Sequence, residues 1–445
     1  MKHFDLILRR GTATVLSANN ELVVDTLDIG ILDGKIAAIH LSPDSTSEKV
    51  IDCKGLHILP GIIDSQVHFR DPGLTHKEDL FTGTLSALYG GVTSIFEMPN
   101  TNPSTTTQKA FEEKIHLAET KAWVNYAFFI GASAENVSEL CNLEKLPGCS
   151  GVKVFMGSST GNLLVEEEEL LEQVLVNTKR RLVVHAEDEK RLKERKQLAI
   201  DGGHSRFHPV WRDEETAFLA TERLLKLAQK HKRQVHVLHV TTKKEIALLS
   251  QNKDIASFEI LPQHLYFHAP DCYETLGNLA QMNPPIRELP HQQALWTAVQ
   301  KGWVDVIATD HAPHTLDEKS RVYPNSPSGM PGVQTLVPLM LHFVNQGKIS
   351  LTDFVRLTTL GPIKVFGMKN KGKIQVGADA DLTLVDLKKQ TTVDNKNMKT
   401  KCGWTPYHGA KLDGKVIGSI INGVHAFHED TLLIQSPSGQ KVLFS

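Results

Sequence analysis

Gly61-Ile62-Ile63-Asp64-Ser65-Gln66-Val67-His68-Phe69-Arg70 is an apolar run that passes into a row of polar side chains. Strand side chains alternate, so Asp64, Gln66, His68 and Arg70 share one face. Seven more apolar runs follow, at residues 91–98, 124–130, 151–156, 182–184, 235–240, 257–261 and 304–308. Helical patterning separates several of them, at 77–89, 108–121, 166–179, 213–230 and 290–300. Pro290 falls in a first turn, where its missing N–H is tolerated. Near-continuous apolar strands alternating with helices imply a parallel sheet covered on both faces. Eight such units over ~300 residues predict an α/β fold, a (β/α)8 TIM-like barrel.

The two ends of the chain have another rhythm. Phe4-Asp5-Leu6-Ile7-Leu8 and residues 26–31 read as strands, and Asp33-Gly34 is a turn leading into a strand at 35–39. Residues 381–386 and 416–421 also read as strands, the latter running into the turn Asn422-Gly423. The expectation is one small accessory β domain built from residues 1–57 and 366–445, around a barrel at 58–365.

Composition narrows the function class. The 49 Lys and Arg nearly balance the 51 Asp and Glu, for a net charge of −2, which speaks against a nucleic-acid partner. With 40% hydrophobic and 22% charged residues the chain is an ordinary globular one, not a disordered one. Its five cysteines form no C-x-x-C pair, so neither a disulfide framework nor a thiolate zinc site is expected. There is no apolar leader-like segment after Met1 and no apolar run near ~18 residues, so a cytoplasmic protein with no membrane partner is expected. The unusual figure is 21 histidines. Imidazole is the commonest metal ligand and titrates near neutrality.

A barrel enzyme carries its chemistry at the C-terminal ends of its strands. Polar groups stand there after six of the eight runs: Asp64 to Arg70, Glu97 to Asn100, Lys153, His185 to Asp188, His236 and His239, and Asp310 to His314. His236 and His239 are three apart, so as strand residues they face opposite ways, and one of them points inward. The chemistry of this set is a hydrolytic site with one or two metals, since Zn²⁺ takes imidazole and carboxylate donors. A lysine inside an apolar strand loses its charge more readily, and the free amine can react with CO2. As a carbamate, Lys153 can bridge two cations, with His185 and His239 on one metal and His68 and Asp310 on the other.

At this point the chain resembles the dihydroorotases of the amidohydrolase superfamily over essentially its whole length. The resemblance rests on His68-Phe69-Arg70-Asp71-Pro72-Gly73, Met98-Pro99-Asn100-Thr101, Asn283-Pro284-Pro285-Ile286-Arg287 and Asp310-His311-Ala312-Pro313-His314. Gly372-Lys373-Ile374 and Gly377-Ala378-Asp379-Ala380-Asp381-Leu382 are tail features that the superfamily shares more widely. It implies zinc, one or two ions, and reversible cyclisation of N-carbamoyl-L-aspartate to L-dihydroorotate in pyrimidine synthesis. It also implies Asp310 as the catalytic proton carrier. The substrate carries a free carboxylate, which Arg70 can clamp bidentately, with Asn100 and His314 adding hydrogen bonds. By the same resemblance Asn283, Ser328 and Gly329 lie against the ring, and Thr160 belongs to a lid at residues 157–161. A homodimer is the expected assembly, with aspartate transcarbamoylase as a further partner. The alternatives are another cyclic amidase, resembling a dihydropyrimidinase, hydantoinase or allantoinase, and a noncatalytic partner of aspartate transcarbamoylase.

One position departs from the pattern. Gln66 stands where the family has the first histidine of the strand motif, and an amide oxygen is a poor zinc donor beside imidazole. Three readings follow: one tightly held zinc at His185 and His239, two zincs with Gln66 as a weak ligand, or a noncatalytic relative. Among the remaining histidines, His204, His208 and His231 read as solvated, and His264 as structural or supporting the site. Asp64 reads as orienting a ligand on the first strand, and residues 166–169 as an acidic first helical turn. Gln66→His should raise the zinc bound per purified chain, read by elemental analysis, if glutamine only weakens a second site. Unchanged zinc would favour a one-metal design.

Overall fold

The computed structural model describes residues 3–17, 19–158 and 163–445. Eight parallel strands form the barrel: β1 (Ile62–Val67), β2 (Val92–Glu97), β3 (Asn125–Gly131), β4 (Cys149–Phe155), β5 (Leu182–His185), β6 (Val235–Val237), β7 (Ala256–Ile260) and β8 (Val306–Ile307). They pair in sequence order, and every residue of every strand is buried. That is why the runs read as continuously apolar rather than alternating.

Helices cover the outside, among them α1 (Leu80–Tyr89), α2 (Gln108–Lys121), α3 (Glu168–Asn177), α4 (Glu214–Lys230) and α5 (Leu289–Gln300). The local reasons are legible. Asp79 and Thr107 cap the first two helices through Thr82 N–H and Ala110 N–H, and Asp213 caps α4 through Thr216 N–H. Glu168 and Glu169 sit in the first turn of α3, where the helix dipole favours them.

The ring closes between β1 and β8 with little regular pairing. His68 N–H donates to His311 O at 2.8 Å, and Val67 bridges His311. Asp64 reinforces this seam. Its carboxylate accepts the Thr309 N–H at 3.0 Å, the Thr309 hydroxyl at 2.5 Å and the Gln66 N–H at 3.3 Å. Asp64, expected to orient a ligand on the first strand, instead has the Gln66 N–H and the N–H and hydroxyl of Thr309 as partners, so it acts on the seam.

A second, nine-stranded mixed sheet joins the two ends of the chain. Its centre is His57–Pro60, paired antiparallel with Leu382–Thr392 and parallel with His3–Leu16. His57–Pro60 leads into β1 through Gly61, where a Cβ would collide with Thr93 and Asp381, so glycine is required by close approach. Asp381 ties sheet to barrel. It accepts Asn125 Nδ2–H at 3.0 Å and Asn422 N–H at 2.8 Å, and it pairs with Lys371 at 2.7 Å. The chain end returns to the barrel floor: Val442 N–H donates to Tyr126 O, and Phe96 packs edge-on against Phe366 and Phe444.

Candidate active site

Lys153, Val183, His236 and Ser257 occupy one row across β4 to β7. Register partners in a parallel sheet point the same way, so this row lies inside the barrel with the lysine in it. Lys153 is 1% exposed. Burial pulls its amine down to about 7, against the pull of Asp310 and Glu259, and its Nζ lies 4.5 Å from the centre of the Phe155 ring. It carries no ion pair among the described residues.

Simple alternation fails at the sixth strand. The strand ends at Val237, and His239 takes a positive φ of 38°, which turns its side chain back toward the site. Both histidines therefore belong to the interior, each within the field of Lys153. His236 meets Ser257 Oγ at 2.8 Å and Glu259 at 3.3 Å, whereas His239 meets His185.

The metal candidates stand in two pairs. His185 Nδ1 and His239 Nε2 are 3.0 Å apart, and His68 Nε2 lies 2.9 Å from Asp310 Oδ1. Gln66 Nε2–H donates to the same Asp310 oxygen at 3.1 Å, while Gln66 Oε1 has no partner. Burial lowers the pKa of all three histidines, keeping them neutral as metal ligands must be. Among the described residues no three His, Cys, Asp or Glu side chains form a metal cluster. The donors nevertheless suit zinc. His239 Nδ1 is buried without a partner, and a carbamate on Lys153 would add the carboxylate that two separate pairs lack.

Two groups outside the expected set orient these ligands. Glu187 lies 2.9 Å from His185 Nε2 and accepts from Arg212, which also donates to Ser158 O at 2.7 Å. Burial would raise the Glu187 carboxyl, but Arg212 and His185 outweigh it and hold it far below the usual range. A carboxylate at Nε2 places the proton there and leaves Nδ1 as a lone pair aimed at the site. On the other side, His68 Nδ1–H donates to Asn100 Oδ1 at 2.7 Å, which leaves Nε2 facing Asp310. Asn100, expected against substrate, thus also fixes a histidine. Glu187 was visible in the sequence two residues after His185. Nothing local marked Arg212, which reaches the site only through the fold.

The substrate side is built around Arg70, 1% exposed, with a positive φ of 64°. Its Nη2 is 3.4 Å from His314 Nε2, its Nε donates to Pro313 O at 3.4 Å, and its Nη1 has no partner. Burial lowers this guanidinium to about 10, still fully charged at neutral pH. His314 is wholly buried, and burial pushes it down to about 3. Lys77 Nζ donates to its Nδ1 at 3.1 Å, which leaves Nε2–H to donate to Ser328 O at 3.1 Å and hold the loop at Ser328.

Asn283 and Ser328 line one cavity of about 590 Å³ together with Ser158, Arg212 and Gln281. His208 corrects an expectation: it is buried, not solvated, and meets Asn283 Oδ1 at 2.9 Å and Tyr323 Oη at 3.3 Å. Its sequence context is a polar loop, and only the packing of residues 205–211 against Asn283 and Tyr323 reveals it. His264 is buried and faces Pro284 O at 3.3 Å, in keeping with a supporting role. Thr160 lies outside the described residues.

Comparison with known proteins follows the same lines. The pattern of the amidohydrolase family matches residues 57–425. The chain is 36% identical to the dihydroorotase of Pyrococcus furiosus over 93% of this chain and 92% of that one. It is 35% identical to the dihydroorotase of Methanosarcina mazei over 82% of each. In structure it resembles the L-hydantoinase of Arthrobacter aurescens, with a TM-score of 0.93, 28% identity and coverage of 99% and 100% of the two chains. The dihydropyrimidinase of Brevibacillus agri gives 0.89, at 27% identity over 98% and 97%.

Glu187→Gln should weaken zinc binding by roughly 10- to 100-fold, measured by competition with a chelator below the unfolding temperature. Unchanged affinity would show that His185 needs no such partner.

Proposed function

The chain belongs to the amidohydrolase family, and from that premise we infer that it catalyses the dihydroorotase reaction, the reversible closure of N-carbamoyl-L-aspartate to L-dihydroorotate. The observation that carries the choice within the family is Arg70. A buried guanidinium with an unpartnered Nη1 is a receptor for an anion. Dihydroorotate brings a carboxylate to it, whereas the unsubstituted rings of hydantoin and dihydrouracil bring none.

His68, Lys153 as its carbamate, His185, His239 and Asp310 would hold one or two zinc ions, with Gln66 a weak further donor. Zinc bound there would lower the pKa of a water molecule and polarise the amide carbonyl. The chain's own groups do the rest. In hydrolysis Asp310 accepts the proton from the attacking water at its carboxylate and returns it to the ring nitrogen that leaves. In ring closure the proton follows the reverse path. Arg70 binds the carboxylate through Nη1, and Asn100 holds His68 and adds a hydrogen bond to the substrate. Asn283, Ser328 and Gly329 border the ring, with Thr160 in a lid, and His314 fixes the loop that carries Ser328.

The chain is read as barrel at 58–365 with accessory segments at 1–57 and 366–445; the sheet that joins the two ends runs on to Pro60 and resumes at Leu382. No described helix is long and apolar enough to cross a membrane. A cytoplasmic homodimer acting in pyrimidine synthesis, with aspartate transcarbamoylase as partner, completes the reading.

The decisive assay offers dihydroorotate, dihydrouracil, hydantoin and allantoin to the zinc-loaded protein. Turnover of dihydroorotate is expected; turnover of another ring with none of dihydroorotate would establish the hydantoinase-like alternative, and no turnover with no bound zinc the noncatalytic one. Arg70→Ala should retain zinc and raise KM for dihydroorotate by roughly 10- to 100-fold, the weight of a charge-assisted pair. An unchanged KM would remove the carboxylate clamp.

A further inference from the structure

Lys319 lies close to the site and belongs to none of the roles above. It ends the one-turn helix Leu316–Lys319, whose start is fixed by reciprocal hydrogen bonds between Thr315 and Glu318. It is 2% exposed, and no carboxylate pairs with it among the described residues. An ammonium in that position is costly unless all three of its donors are used. They are: Nζ donates to Gln281 O at 3.2 Å, Pro327 O at 2.9 Å and Gly329 O at 3.0 Å. Burial pulls its amine down to about 7, and in the protonated form each of its three N–H groups has a carbonyl acceptor.

The acceptors explain what this lysine does. Pro327 O and Gly329 O point to Lys319, while Ser328 O, between them, points the other way to His314 Nε2 at 3.1 Å. Successive peptides of one loop are thus gripped from both sides. Gln281 completes the grip: its Nε2 donates to Ser326 O and Ser328 Oγ, both at 3.0 Å, and its carbonyl accepts Gly329 N–H at 2.9 Å. Gly329 has a φ of 139°, and a Cβ there would strike Ala312 O, two residues past Asp310. The free side of Ser326-Pro327-Ser328 forms a wall of the 590 Å³ cavity that also holds Asn283 and Arg212.

We propose that Lys319 is a positioning residue for substrate: through its hydrogen bonds to Pro327 O and Gly329 O, its buried Nζ fixes the Pro327-Ser328-Gly329 backbone that borders the dihydroorotate ring. This rests on the reading of Ser328 and Gly329 as ring contacts. Lys319 touches neither the expected metal ligands nor the reacting atoms. Its loss therefore acts on ring binding and leaves metal content and the proton path intact.

The test is Lys319→Met, close in length and without donors, in the full zinc-loaded chain. KM for dihydroorotate should rise roughly tenfold with kcat within about threefold and zinc content unchanged. Amide hydrogen exchange in peptides spanning 324–331 should quicken, while peptides of β1 to β5 keep their protection. Lys319→Arg, which keeps charge and donors, should recover part of the KM. Should the methionine variant fail to accumulate, Lys319→Gln, with two donors left, should give the same pattern at smaller amplitude. An unchanged KM, or a kcat that falls together with zinc content, overturns the proposal. Wild-type protein that does not turn over dihydroorotate would instead overturn the functional reading itself.

Discussion

The closure of the barrel between β1 and β8 is the constraint on which the site depends. The two halves of the expected second metal position, His68 and Asp310, sit on opposite sides of that seam. β8 is only two residues long, so regular pairing cannot align them. A buried carboxylate does it instead, with Asp64 taking both the N–H and the hydroxyl of Thr309. Burial raises Asp64 to about 7 even as those donors favour its charge, so the seam is held by a group near its own titration point. Loss of that alignment would separate a histidine from an aspartate now 2.9 Å apart.

Desolvation is the second organising force. It pulls Lys153 down to about 7 and lowers the pKa of His68, His185 and His239, the forms that carbamate formation and metal binding need. The same burial leaves Arg70 charged, because a guanidinium lowered to about 10 is still protonated at neutral pH. One dry barrel mouth thus yields neutral donors and a persistent cation side by side.

The terminal segments contribute more than a separate sheet. Trp404 Nε1–H donates to His314 O at 2.8 Å, and Thr400 donates to Glu78, whose carboxylate lies 3.4 Å from His311 Nε2. Gly332 N–H and Val333 N–H converge on the other nitrogen of His311. The loop bearing Asp310 is therefore braced from the barrel wall and from the tail at once. Residues 394–407 carry no catalytic motif, yet Trp404 and Thr400 lend contacts to that loop.

The eight strands, the covering helices and the β-rich ends were legible in the sequence because their signals are local: continuous apolar runs, caps and turn pairs. That the candidate donors gather in the barrel was legible for a related reason, since in a barrel a polar residue just past an apolar strand has one place to go. What failed were inferences that needed the chain's path after a strand ends. His239 returns to the site through a positive φ that alternation does not foresee, and His208 is buried by a loop that reads as solvent-facing. Glu187 with Arg212, and Lys319 with the carbonyls of Gln281, Pro327 and Gly329, are partnerships across 25 and as few as eight residues of sequence. The sequence by itself determined which donor types gather at the barrel mouth. Only the tertiary structure decided which nitrogen each histidine presents and which charges stay unpaired, because both depend on what burial removes from water and what it leaves within hydrogen-bond reach.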